Sequence, residues 1–480
     1  MAKIDTKEYK DIKAGLVTEG AVGEQQMPLD AVTESLNFDF DKIGCARLRR
    51  GTTLLGNQLS GNLLGLYEFR DSGSGSNNQI LAVNGTTVYY LNAGTWTSKR
   101  TVTTGLKARF STFLDYVFMV NGTDATAIWN GDVGSSFITS GNASGAPTGK
   151  FIDNFRARMW IAGNSAFPDR LYYSSIPTAA ATPVITWDTS ATTGDWIDIS
   201  PSDGENITGI KRSKTALNVY KNNHIYRVAS INTTDPDPVI NVGTYSQESI
   251  VEAKDGQYFH HPSGFYRMSG AEATEISRPI QDIVDNISAS NYTSICGWED
   301  GDHIYWSVGD VTISGITYSN LVVRYTISSQ AWTHRTYPTE FLVSSRYNDG
   351  STLFRLVGDN DGNVLKVNVG KTDNGTPISY ALTHRWYTID GLLSTRKNLP
   401  RLVFAHSGGA GTNVAYQIEG DPVSDWSKTL GQFKNVDTLF SKADIRGRKC
   451  RFRISGISSG EPFDYYGMEV INATSEPIQF

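Results

Sequence analysis

The chain is poor in several features that would settle its class at once. It has only three cysteines in 480 residues. Cys45, Cys296 and Cys450 are odd in number and far apart, with no C-x-x-C pair. That excludes a disulfide framework or structural zinc site and leaves three reduced, mostly buried thiols as the expectation. No stretch approaches the ~18 apolar residues that cross a bilayer. The opening "MAKIDTKEYKDIK" is charged from its start and lacks the apolar core of a secretion signal. Histidine is scarce, with seven copies, and H-E-x-x-H, G-x-S-x-G and phosphate-cradling glycine loops are absent. Neither sign of charge dominates: 43 Lys+Arg against 49 Asp+Glu give a net charge of −6, which argues against a nucleic-acid coat. No cofactor or metal is expected.

What the chain does contain is glycine, 46 residues of it, with 39% hydrophobic and 11% aromatic residues. This mix builds cores out of short strands and tight turns. Strand, polar turn and a strand opening on an aliphatic–aromatic pair recur along it. The copies are "ILAVNGTTVYYL" (80–91), "VFMVNGTDATAIW" (117–129), "MWIAGNSAFPDRLYYS" (159–174), "LNVYKNNHIYRV" (217–228), "QYFHHPSGFYRM" (257–268), "ICGWEDGDHIYWSV" (295–308) and "FRLVGDNDGNVLKV" (354–367). Asn-Gly and Asp-Gly accept the positive φ of a hairpin turn, and the flanking β-branched and aromatic residues suit a half-buried pleated surface. The spacing of roughly 40 residues with four strands per unit predicts an all-β fold, a β-propeller of about six or seven blades. A sandwich array or mixed β-barrels is the alternative. The Thr/Ser/Pro-rich insertion 176–196 belongs on a loop, and a short helix is expected after Ser277 as cap, with Ile280, Ile283, Val284 and Ile287 on one face.

The ends lie outside the repeat. Residues 1–60 are expected to add strands to a β-rich platform, 61–390 to form the propeller, and 391–480 to form a β-sandwich-like platform domain. Their net charges are −1, −7 and +2. In the tail, Lys449, Arg451 and Arg453 would share one strand face opposite Cys450, Phe452 and Ile454. With Arg446 and Arg448 they form a candidate contact surface for an acidic partner or phosphates; charge protecting a sheet edge is the plainer reading.

Elsewhere the search for chemistry returns structural readings. Asp359-Asn360-Asp361-Gly362-Asn363 looks like a calcium loop, but its twelfth position is Gly370 where a glutamate is needed, so it is read as a hairpin turn. His260 and His261 point to opposite faces of a strand. His224 and His303 precede Ile-Tyr in what reads as equivalent repeat positions. Glu299, Asp300 and Asp302 could be a glycosidase pair but read as a solvated turn. Trp187 and Trp196 could stack sugars, or anchor their loop.

The ends carry a resemblance. "ESLNFDFDKIGCARLRRGTTLLG" (34–56) resembles the opening of tail nozzle and hub (DNA-stabilisation-like) proteins of short-tailed bacteriophages, with Asn37, Gly44, Arg47, Arg49, Arg50 and Gly51 matching and the frequent proline missing. The closing "GRKCRFRISGISSGEPFDYYGMEV" (447–470) and the helical "RPIQDIVDNI" (278–287) are similar to segments of those proteins. The resemblance implies a non-enzymatic virion tail protein made in the bacterial host cytoplasm. It implies a homo-oligomeric ring, sixfold, below portal and adaptor, contacting adaptor and tail fibre proteins and passing genomic DNA without reading its sequence. Arg47, Arg49, Arg50, Arg446, Arg448, Lys449, Arg451 and Arg453 are the expected partner interface. A receptor- or carbohydrate-binding propeller of a tail fibre or lectin-like module is the alternative.

Overall fold

The computed structural model describes residues 2–477 except 5, 11, 13, 19–26, 42, 43, 74–77, 181, 191, 202, 234, 235, 237, 435 and 459. Among the described residues, seven small antiparallel sheets follow one another and close into a ring. Blade one is Leu63–Phe69, Gln79–Asn84, Thr87–Asn92 and Thr95–Thr101. Blade two is Arg109–Phe113, Tyr116–Val120 and Ala127–Trp129. Blade three is Phe151–Phe155, Arg158–Ala162, Arg170–Tyr173 and Trp196–Asp198. Blade four is Gly209–Arg212, Leu217–Tyr220 and Ile225–Val228. Blade five is Val251–Ala253, Gly256–His261, Gly264–Ser269 and Glu272–Glu275. Blade six is Cys296–Asp300, His303–Ile313, Ile316–Thr326 and Trp332–Thr336. Blade seven is Phe341–Asn348, Leu353–Asp359 and Val364–Val367, and its outer strand is Thr52–Leu54 from near the start of the chain.

The repeated apolar pair has a physical reason. Successive strand residues point to opposite sheet faces, and each blade face is buried against a neighbour. Ile225 packs into the core between blades four and five, and Tyr226 into that between three and four. Ile304 and Tyr305 divide in the same way between the five–six and six–seven cores. The last core joins Leu63 and Ile80 of blade one to Val343 and Leu356 of blade seven, and closes the ring. Close blade approach excludes side chains at Gly65, where a Cβ would sit 2.6 Å from the Ala108 carbonyl oxygen.

Blade six does not end at its outer strand. Trp332–Thr336 pairs in parallel with Ala31–Leu36. That strand pairs with Ile378–His384, and the sheet runs on through Cys450–Ser458, Asn413–Ile418 and Thr429–Gln432. A second sheet packs on it, made of Val436–Phe440, Arg401–Gly408, Phe463–Ile471, Ala46–Leu48 and Phe38–Asp39, with Lys7–Lys10 also pairing to Phe463–Ile471. Phe38, Leu382, Phe404, Phe452 and Tyr465 fill the space between. Ala2–Lys3, Thr474–Pro477, Thr395–Leu399 and Ile445–Gly447 form a third, four-stranded sheet. The topology thus puts Thr52–Leu54, from the expected segment 1–60, into the propeller. It puts Ile378–His384, from the expected span 61–390, into the platform.

Three local expectations need correction. The turn in "WEDGDHIYW" joins the first and second strands of blade six, whereas the other six turns join second and third strands. The blade's true counterpart is the turn at Ser314-Gly315, so His224 and His303 are not equivalent. The helix is a short turn of Arg278–Ile280 followed by Gln281–Val284. Ser277 does not cap it; its hydroxyl accepts the Phe265 N–H at 3.0 Å instead. The apolar face is as expected, with Ile280, Ile283, Val284 and Ile287 all buried.

Candidate functional site

The motif residues at 34–56 converge on the joint between propeller and platform. Asn37 takes a left-handed backbone, φ 62°, which ends the strand Ala31–Leu36 and turns the chain. Its amide donates to the Ser379 carbonyl at 2.7 Å, and its side-chain oxygen accepts Arg49 Nε at 2.7 Å and the Thr336 N–H at 3.1 Å. Arg49 is buried, forks onto Asp373 at 2.8 and 2.6 Å, donates to the Thr336 carbonyl and lies 4.2 Å over the Tyr337 ring. Gly51 passes so close to Thr372 that a Cβ would stand 1.9 Å from its carbonyl oxygen. Arg49 is therefore a keystone of the joint, and no partner can reach it.

A second buried charge cluster lies alongside. Asp39 accepts Arg335 at 2.8 and 2.9 Å and Arg324 at 3.3 Å, and both guanidiniums are almost fully enclosed. Burial alone would raise the Asp39 carboxyl, but Arg335 and then Arg324 outweigh it and hold it below the usual carboxylate range. Arg324 also reaches Asp41 and donates to His303 Nε2 at 2.8 Å. Glu34 repeats the pattern: buried, it takes Arg453 at 2.8 and 2.9 Å, with Thr383 and Tyr318 donating, and its pKa is lowered against burial chiefly by the Arg453 hydrogen bond.

The eight expected interface residues thus divide. Arg451 donates to Gln417 at 2.7 Å and lies 4.8 and 5.1 Å from the Trp386 and Trp426 rings; Arg453 binds Glu34. With Lys449 over Trp386 at 5.1 Å, they form a ladder of cations and indoles on the outer face of Cys450–Ser458. The expected alternation holds, since Cys450, Phe452 and Ile454 are in the core. Arg47 is exposed and pairs with Asp464 at 2.7 Å, Arg448 pairs with Glu419 at 3.4 Å, and Arg50 and Arg446 are exposed. Nothing local in the sequence signals the indoles, which stand 65 and 25 residues from Arg451.

The remaining candidates are engaged in structural contacts. Asp359 is fully buried; its carboxylate accepts the N–H groups of Asp361 and Asn363 at 3.0 and 2.7 Å, the Asn363 amide at 2.8 Å and the Thr339 hydroxyl at 2.7 Å. Its lone pairs serve the hairpin turn. Glu299 meets Arg355 at 2.7 Å, Asp300 accepts Asn368 at 2.7 Å, and Asp302 meets Lys254 at 2.7 Å. His260 is buried against Phe265 and Tyr292, and burial pushes it down to about 3. Trp187 donates to the Asn142 carbonyl at 3.1 Å and anchors the insertion to the turn Gly141–Ala143 between blades two and three, while Trp196 carries Arg170 of blade three at 3.6 Å. Cys45, Cys296 and Cys450 are buried, and burial raises Cys296 and Cys450 to about 12.

The inner strands surround a channel of about 960 Å³, the size class of a small-ligand cleft. A circuit of polar bonds runs round it from blade to blade. Ser72 donates to Asp115 at 2.7 Å and Asn154 to the Thr112 carbonyl at 2.8 Å. Asp153 accepts the Arg212 N–H at 2.8 Å, and Gln257 donates to the Arg212 carbonyl at 2.9 Å. Lys254–Asp302 and Arg355–Glu299 continue it, and Arg70 reaches the Asn348 carbonyl at 2.7 Å to complete it. At the other end, half-buried Glu248 holds Arg109 at 2.7 Å and Lys107 at 3.3 Å; these cations overcome desolvation and bring its carboxyl down to about 2.

The class follows from this geometry: the chain is an all-β protein, a seven-bladed β-propeller carrying a β-rich platform. No protein-family model matches the sequence, and no curated protein matches it. Among solved structures it is similar to YCF48 from Cyanidioschyzon merolae, at 10% identity over 66% of this chain and 98% of that one, TM-score 0.42. It is also similar to BamB from Moraxella catarrhalis, at 12% identity over 70% of this chain and 96% of that one, TM-score 0.37. These likenesses carry no functional argument. No helix among the described residues is long and apolar enough to cross a membrane.

Proposed function

We propose that the chain is a non-enzymatic structural protein of a phage virion, a tail nozzle or hub subunit that assembles into a ring below the portal and adaptor. The observation that carries this reading is the joint. Three of the six residues through which segment 34–56 resembles nozzle proteins, Asn37, Arg49 and Gly51, weld the platform to the propeller, which supports the reading. A rigid platform set on one blade suits a subunit that must hold a fixed angle to its neighbours. The engagement of Glu299, Asp300, Asp302 and Asp359 in structural bonds supports a non-catalytic role. DNA would pass through the central hole of the ring, because the channel of a single propeller has the volume of a small-ligand cleft.

Negative-stain microscopy and mass photometry of the purified protein, alone and with the head-to-tail adaptor, test this. Rings with a central hole are expected. Monodisperse monomers even with adaptor present overturn the reading, and specific binding on a glycan array by such monomers would establish the receptor-binding alternative.

A further inference from the structure

The third platform sheet has one face in the core and one face turned outward, with Thr474 and Asn398 half-buried at the middle of it. Ile4, Leu399 and Ile445 point inward and are buried. The register places Lys3, Thr474, Asn398 and Arg446 in one row across all four strands on the opposite face. Arg396 lies one step along the same face, level with Glu476. Lys3, Arg396 and Arg446 are exposed, as are Arg401 and Lys442 at the sheet's end. Among the described residues none of these five cations has an ion pair, unlike Arg47, Arg448 and Arg453, which all do. The inward residues forbid the sheet from turning over, so the cations are held on the outside.

The complementary surface lies elsewhere on the same chain. Segment 61–390 carries a net charge of −7 and segment 391–480 of +2. The outermost strand of blade five, Glu272–Glu275, has an unpaired backbone edge and exposes Glu272 on one face and Glu275, which accepts the Ser277 hydroxyl at 3.2 Å, on the other. Among the described residues no ion pair joins the two surfaces within one chain.

We infer that the outward, cationic face of the third platform sheet docks on the acidic outer strand of blade five in a second copy of this chain. The inference rests on the ring proposed above and names its contact. Two different patches make a heterologous, head-to-tail interface, the kind that closes into rings when the rotation allows it. Exposed cations opposite exposed carboxylates set orientation and association rate and keep like-charged faces apart, while adding modest affinity of their own. The contact is therefore salt-sensitive, because surface charges are screened within about 10 Å at 0.1 M salt and about 3 Å at 1 M.

The test uses three preparations of the full chain: wild type, Arg396→Glu/Arg446→Glu, and Glu272→Lys/Glu275→Lys. All substituted positions are exposed, so folding is checked by unchanged circular dichroism and melting. Each variant is expected to raise the concentration needed for assembly by about 10-fold or more, and mixing the two is expected to restore assembly because every contact is again between opposite charges. Wild-type assembly is expected to weaken as NaCl is raised. Rings that form equally well in all three preparations overturn this contact while leaving the ring intact. Loss of assembly without rescue on mixing overturns it too. Unchanged rings with loss of binding to a labelled DNA duplex in Arg396→Glu/Arg446→Glu would reassign the face to nucleic acid. Monomers throughout, with adaptor present, overturn both the contact and the proposed function.

Discussion

Replacing Asp39 by alanine is expected to be among the most damaging single changes outside the blade cores. The carboxylate sits between Arg335 and Arg324, whose side chains are 2% and 1% exposed. Its removal leaves two enclosed guanidiniums without their main counter-charge. Arg335 keeps only Asn368 at 2.8 Å and Tyr337 at 3.3 Å, while Arg324 keeps Asp41 and His303. Breaking a buried pair from one side costs about 3–5 kcal/mol. With an m-value of about 3 kcal/mol/M in urea, that is a fall of about 1–1.7 M in the midpoint. The control is Arg47→Ala, whose pair with Asp464 is 53% exposed on the arginine side and is expected to matter by less than about 1 kcal/mol. The pH dependence supplies a second signature. The folded-state pKa of Asp39 is depressed, so its contribution is complete above the unfolded value of about 4 and is lost as pH falls through the folded value. Asp39→Asn is therefore expected to lose stability at neutral pH and to show a shallower decline on acidification than wild type. A midpoint for Asp39→Ala within about 0.3 M of wild type, or an unchanged acid limb for Asp39→Asn, would refute the reasoning.

Other expectations follow from neighbouring features. Arg453→Ala leaves Glu34 buried without its cation, and is expected to destabilise the monomer by about 3–5 kcal/mol in urea titrations. Cys296 and Cys450, held near 12, are expected to resist a maleimide or a disulfide reagent at pH 8 until denaturant is added. Gly51→Ala forces a Cβ onto the Thr372 carbonyl and is expected to cost soluble yield, read by gel filtration of the expressed protein. Calcium at millimolar concentration is expected to leave the melting temperature unchanged, because four protein donors already occupy the Asp359 carboxylate; a rise on adding calcium, reversed by chelator, would contradict this.

Much of the propeller was legible because its signal is local. A turn such as Asn84-Gly85 or Asp361-Gly362 advertises itself by residue type, and the apolar pair after it advertises a strand buried on both faces. The one mis-phased copy shows the limit of that signal. Asp300-Gly301 is as good a turn as any, and chemistry alone cannot tell a first–second turn from a second–third one when blade six has strands of eleven residues. The candidate interface divides for a different reason. Lys449, Arg451 and Arg453 do alternate with an apolar face, as read, but Arg451 and Arg453 are claimed by Trp386, Trp426, Gln417 and Glu34. Only the fold brings those residues together.

The sequence by itself determined the building unit: short strands, hairpin turns and a repeat that needs two buried faces, from which a propeller follows. The tertiary structure alone decided the blade count, the closure and the joint. Closing blade seven pairs Thr53 with Lys366, and seating the platform pairs Leu36 with His334. Such pairings are chosen by the summed burial of whole sheets and by charges like Asp39, Arg49 and Glu34 that must find partners once enclosed. A local pattern of residues carries no record of them.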